Sequence, residues 1–226
     1  MERHFDEELT NLKQRLLKMA DWAQEMISLS IRALVERNPA LTEQVFEIEN
    51  KVNHIEIEIE EDALRLLALR QPAARDLRLL TAVLKIDNDL ERVADQAVNI
   101  SETALHLLKE PQLKPLIDIP NMASIAQKMI KDSITAFVHH DPELAQKVCR
   151  SDDEVDKINE QLFRELLTYM MEDPKTITRA VALILISRNL ERIADHATNV
   201  SEDVIFIEQG KNIKHHIQEE PGHLVA

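Results

Sequence analysis

The side chains best placed to do chemistry in this chain are acids recurring at helical spacing. Glu91, Asp95 and Asn99 stand four residues apart, and Glu191, Asp195 and Asn199 repeat the series 100 residues later. In a helix this spacing lines oxygen-bearing side chains along one face. Glu91 and Glu191 also interrupt largely apolar heptad seams, with Leu77, Leu84 and Val98 in one case and Ile177, Ile184 and Thr198 in the other. Two carboxylates four apart repel by about 0.2–0.5 kcal/mol, and a half-buried unpaired ion costs several kcal/mol, so something cationic should offset them. A further set stands upstream: Asp152 and Asp156 are again four apart, and an offset of 103 residues maps them onto Glu49 and Asn53. Oxygen donors alone suit a hard or intermediate ion, Mg²⁺, Mn²⁺, Ca²⁺ or iron, divalent or trivalent, better than a thiolate-seeking one. The competing reading pairs Glu91 and Glu191 with Arg78, Arg92, Arg188 and Arg192, but duplication of both spacing and seam position favours metal.

The elements that must position these acids are helices. Apolar residues recur at three and four, and Asn38-Pro39, Asp141-Pro142 and Asp173-Pro174 each place a capping side chain before a proline at the first helical position. With Gln71-Pro72 they delimit six helices over 6–37, 40–70, 73–109, 121–140, 142–172 and 175–209. A linker with Pro111, Pro115 and Pro120 separates the third from the fourth, and a loose tail follows Gly210. The segment Ser30-Ile-Arg-Ala-Leu-Val35, followed by Pro39, Leu41, Val45 and Val52, recurs 103 residues on as Ser133-Ile-Thr-Ala-Phe-Val138 with Pro142, Leu144, Val148 and Val155. Leu90-Glu-Arg-Val-Ala-Asp-Gln-Ala-Val-Asn-Ile-Ser-Glu102 recurs as residues 190–202 with nine of thirteen identities. The chain is therefore expected to be all-α, a tandem pair of three-helix bundles over 1–110 and 121–212, with 111–120 as linker and 213–226 as tail.

Composition excludes several classes. The two glycines, Gly210 and Gly222, leave no room in the first 209 residues for a phosphate loop, a dinucleotide fingerprint or a nucleophile elbow. The longest stretch without a charged residue, Ile119–Gln127, has nine residues, against about 20 for a membrane span. A formal charge of −14 argues against nucleic acid as the main partner and against anionic lipid, so any membrane association should be peripheral and through partners. The single Cys149 and the absence of a secretory pattern at the N-terminus fit a cytoplasmic protein. Cys149 reads as a helix-face filler, Trp22 with Met19 and Met26 as core or interface, His139-His140-Asp141 as a turn, and His196 as a surface residue.

Three motifs together resemble the PhoU family of bacterial phosphate-uptake regulators. They are the two copies of L-E-R-[VI]-A-D-x-A-x-N, the segment Leu69-Arg-Gln-Pro-Ala-Ala-Arg-Asp-Leu-Arg78, and Thr168-Tyr-Met-Met-Glu-Asp-Pro174. The likeness covers about residues 5–212, in order and at matching distances. It implies two three-helix bundles related by a pseudo-twofold, with metal clusters on paired acidic motifs: Glu91/Asp95, Glu191/Asp195 and Asp152/Asp156. At the matching first-half position the chain has Glu49/Asn53, so the second bundle is expected to hold the better-formed cluster. Ala94 and Ala194 stand where many members have glycine. The resemblance further implies a non-enzymatic regulator that contacts the ATPase of the phosphate ABC transporter and the phosphate sensor histidine kinase, and a homodimer is expected. The alternative in another class is a metal-dependent phosphohydrolase, disfavoured because no nucleophile or anion-binding loop accompanies the acids. A purely structural bundle would bind no metal.

Overall fold

In the computed structural model, which describes residues 2–70, 72 and 74–210, six α-helices follow one another: α1 (Glu2–Val35), α2 (Ala40–Arg70), α3 (Ala74–Leu107), α4 (Asp118–His139), α5 (Pro142–Glu172) and α6 (Ile177–Gln209). The expected tail and Gln71 lie outside the described residues. Helices α1, α2 and α3 pack mutually as one bundle, and α4, α5 and α6 as a second.

The proline boundaries work as capping chemistry requires. Asp141 accepts from the backbone N–H groups of Glu143 and Leu144, both at 3.0 Å, satisfying two of the donors that a helix start leaves free. Asn38 accepts from Ala40 N–H at 3.1 Å. Asp173 accepts from Lys175 N–H, but the turn it opens is a short 3₁₀ segment, Pro174–Thr176, so α6 begins two residues later than the sequence suggests. Pro120, expected in the linker, lies in the first turn of α4, where no intrahelical N–H is needed from it.

The linker between α3 and α4 is tied to both bundles. Arg37 donates to the carbonyls of Leu108 (2.7 Å) and Glu110 (2.8 Å), and Arg179 donates to that of Pro111 (3.1 Å). Lys114 is buried between Asp118 and Glu165, with both carboxylates neutralising a charge that burial alone would penalise.

The two bundles meet through α3 against α6 and α1 against α4, leaving α2 and α5 on the outer flanks. The pairing is antiparallel. Lys85 reaches Asp203 at 3.0 Å, and Asp89 accepts from Asn199 at 3.1 Å, so four residues forward on α3 are four back on α6. Continuing that register sets Ala94 opposite Ala194, its own duplicate. On the other pair, Gln127 donates to the carbonyl of Gln24 at 3.2 Å, and these too are duplicates of each other. Equivalent residues facing one another mark the axis of a pseudo-twofold, as in an isologous interface. Small residues let the helices approach there: Ala94, Ala97 and Ser101 on α3 and Ala194, Ala197 and Ser201 on α6 are all buried.

Ala94→Leu is expected to destabilise the protein by about 1–3 kcal/mol through overpacking at this crossing, measured by urea denaturation. Ala68→Leu, on an exposed face of α2, should stay within about 0.5 kcal/mol.

Candidate metal centre

The repeated acids fall in two equivalent grooves, one between α2 and α3 and one between α5 and α6. Each pair is an antiparallel hairpin, so residues approaching the turn on one helix face residues leaving it on the other. In the second groove Asp152 faces Asp195, and Asp156 faces Glu191 and Asp195. Burial first, and then the charges of Asp195, Asp156, Asp153 and Glu191, push the Asp152 carboxyl up to about 6. Its Oδ1 is buried without a hydrogen-bond partner. Glu191 is raised by burial foremost and then by Asp156 and Asp195, with Arg188 and Arg192 opposing. Asn159 donates to Glu191 Oε2 at 2.9 Å. Asp195 is raised by burial and Asp156, against His196 and Arg192.

In the first groove Glu49 is raised by burial and then by Asp95 and Glu102. Glu91 is raised by burial, Asp95 and Glu56, with Arg92 and His196 opposing. Arg92 Nε stands 3.7 Å from Glu91, an ion pair on an exposed side chain without a hydrogen bond, so the arginine-pairing alternative acts weakly in this groove.

Glu56 is the acid that reading the sequence missed, and it acts on Glu91 and Asp87 in the first groove. It stands seven residues after Glu49, on the same helix face, and corresponds to Asn159. Asn53 and Glu56 thus answer Asp156 and Asn159 with amide and acid exchanged. The first groove carries Glu49, Glu56, Glu91 and Asp95, and the second Asp152, Asp156, Glu191 and Asp195. The seven-residue interval from Glu49 to Glu56 was the available signal.

The asparagines take other places. Asn53 and Asn99 are exposed, and Asn199 is turned across the seam to Asp89. His196, expected at the surface, is half-buried with Nδ1 2.8 Å from the same Asp89 oxygen. This position lies on the inter-bundle face of α6, which the pattern of one bundle alone does not reveal. Other readings hold: Met19 and Met26 are buried, Lys18 stands 4.7 Å over the half-buried Trp22 ring, and burial with Glu202 pushes the Cys149 thiol up to about 11.

Among the described residues no three Asp, Glu, His or Cys side chains already converge as ligands. The oxygen-only donor set and the unpartnered Asp152 Oδ1 fit a hard or intermediate cation, whose charge would satisfy what no neighbouring base does.

Comparison with known proteins gives a concordant picture. The chain matches the PhoU domain twice, over residues 16–104 and 119–204. It is 43% identical over 213 residues to a phosphate-specific transport system accessory protein PhoU homolog of Aquifex aeolicus, covering 94% of this chain and 96% of that one. It is 37% identical to the Pseudomonas aeruginosa homolog, covering 94% and 88%. The crystal structure of PhoU from Pseudomonas aeruginosa superposes with a TM-score of 0.89 at 38% identity, over 92% of this chain and all (100%) of that one. The phosphate transport system regulatory protein PhoU from Streptococcus pneumoniae gives 0.85 at 29% identity, over 92% and 98%.

Raised carboxyls set a pH dependence. An acid that holds its proton more tightly folded than unfolded stabilises the fold at low pH, and that advantage is lost as pH climbs through its folded value, about 6 for Asp152 and about 8 for the buried Asp87. With chelator present, the melting temperature should fall between about pH 5 and pH 8, and Asp87→Asn should flatten the upper part of that slope. An unchanged slope in the variant would show that Asp87 does not titrate there.

Proposed function

Because the chain belongs to the PhoU family, we propose that it is a regulator of phosphate transport that acts by contact with its partners and uses cations on its acidic grooves to hold its binding faces. The observation that carries this is the pair of equivalent, half-buried acid grooves within two PhoU domains, in which Asp152 and Glu91 are raised by burial and by neighbouring acids. Its relatives are named as accessory proteins of phosphate-specific transport, which supports the same role here.

The partners we assign are the ATPase of the phosphate ABC transporter and the phosphate sensor histidine kinase, met on the cytoplasmic side, with a homodimer as the working form. Among the described residues no helix is long and apolar enough to cross a membrane, so association through partners is the economical route. An exposed apolar strip on α5 and α6, including Phe163, Leu167, Met171, Val181 and Leu185, is the kind of surface that protein contacts use. A hydrolase is the weaker reading because no anion-binding loop accompanies the acids among the described residues, where the acids stand on long helices. Cys149 is the nearest thiol, and its raised position keeps it a neutral thiol at physiological pH.

The residues that would hold metal are Glu49, Glu56, Glu91 and Asp95 in one groove and Asp152, Asp156, Glu191 and Asp195 in the other. A bound cation would supply charge neutralisation and tie α2 to α3 and α5 to α6. The test is affinity capture from native membranes with and without chelator, alongside elemental analysis. The transporter ATPase and kinase should co-purify with metal-loaded protein, and Asp95→Ala and Asp195→Ala should each lose metal and lower the melting temperature. Glu191→Gln should lessen the drop that chelator causes, because it removes one of the facing charges. Parent and variants alike without metal, or an unmoved melting temperature on chelation, would remove the metal from the proposal. Phosphate release by the metal-loaded protein would turn it toward the hydrolase.

A further inference from the structure

The two grooves differ one helical turn beyond the shared motif, toward the hairpin turn. There the first groove has Glu60 on α2 and Asp87 on α3, and the second has Phe163 and Ser187 at the corresponding positions. The next residue diverges the same way: Asn88 answers Arg188. The second groove therefore closes in neutral and basic chemistry, with Ser187 buried and donating to the Ile184 carbonyl at 2.9 Å. The first continues acidic.

Asp87 is 3% exposed, and its Oδ1 has no hydrogen-bond partner. The charges acting on it come from Glu56, Glu60 and Glu91, all of one sign. A buried carboxylate oxygen without a donor is destabilising, and a charged group more so. An acid kept in such a place for structure alone would be better replaced by serine, as the second half does.

We propose that the first bundle holds an additional small, hard divalent cation, bound by Asp87 with Glu56, Glu60 and Glu91, at a site the second bundle lacks. Asp87 is the short, fixed ligand at the floor. Glu56 and Glu60 are long, flexible and nearer solvent, able to turn inward once a cation is present. Glu91 lies between this position and the Asp95 motif, so its carboxylate can serve both. The inference rests on the proposed metal function and extends it to a site of the first bundle alone, and its test separates the two.

The probe is Mn²⁺, titrated into chelator-treated full-length protein, with free ion counted by electron paramagnetic resonance. The parent should bind about one equivalent more than Asp87→Ser, which copies the second bundle, or bind that equivalent about tenfold more tightly. Glu60→Gln, at an exposed position, should weaken the same equivalent without threatening the fold, and helical circular dichroism checks both variants. The double variant Glu191→Gln/Asp195→Asn should lose a different equivalent. If Asp87→Ser and Glu60→Gln bind as the parent does while the double variant loses metal, the additional site is overturned and the general metal reading survives. If the first two lose an equivalent and the double variant does not, the additional site stands and the shared motif fails. A parent that binds no Mn²⁺ overturns both.

Discussion

The antiparallel crossing of α3 and α6 is the constraint on which the rest of the molecule depends. A duplicated three-helix unit could pack with its copy in many ways, but two identical small-residue stripes fit each other best about a twofold axis. Ala94 and Ala194 lie at that axis, with Ala97, Ala197, Ser101 and Ser201 flanking it. Because the axis is fixed there, α1 and α4 must meet as well, and Gln24 meets Gln127. The outer helices α2 and α5 are then left with one flank toward solvent and one edge against α3 or α6, and those edges are where the acids lie.

One short segment thus does two jobs on opposite sides of one helix. In Leu90–Gln96, Leu90, Val93 and Ala94 are buried, while Glu91 and Asp95 face the neighbouring outer helix. The same holds for Leu190, Ile193 and Ala194 against Glu191 and Asp195. The crossing holds α3 and α6 rigidly, so the carboxylates they carry have a stable backbone beneath them. Their partners on α2 and α5 come from helices anchored on fewer sides. A cation between the two would therefore act mainly on the outer helix, which is the part of each bundle available to a partner.

Much of this was legible from the chain alone, for physical reasons. Proline after a capping residue fixes a helix start locally, so Asp141 and Asn38 could be read without a fold. The acidic motif was legible because duplication showed the same spacing twice. Glu56 was missed because Asn53 was compared with Asp156 alone, when the amide and the acid had exchanged places along one heptad. His196 was misread because its environment is made by the other bundle: only the register of α3 on α6 brings Asp89 to it. The apolar heptad seam through Leu77 and Ile177 is not buried along its whole length. Both residues are exposed, since the seam runs out along the open edge of each hairpin toward its turn.

Several departures from symmetry lie along the α3–α6 seam. Asp89, His196 and Asn199 form a polar contact on one side of the axis, whereas the duplicates Asn189, Gln96 and Asn99 do not repeat it: Asn189 donates to the Leu185 carbonyl and Gln96 Oε1 has no partner. Lys85 with Asp203 is answered by Leu185 and Thr103. Each asymmetric contact thus joins an acid, or its partner, to the seam from one side only. Asp89 stands two residues before Glu91, and His196 immediately follows Asp195 while opposing the raised proton affinity of Glu91. His196 thus stands where the two bundles pack, beside Asp195 in sequence and near enough to Glu91 to oppose the rise in its proton affinity. A duplicated protein whose halves had stayed identical would repeat each of these contacts on both sides of the axis; this one has diverged along the seam, so its two halves are joined by contacts that are not equivalent.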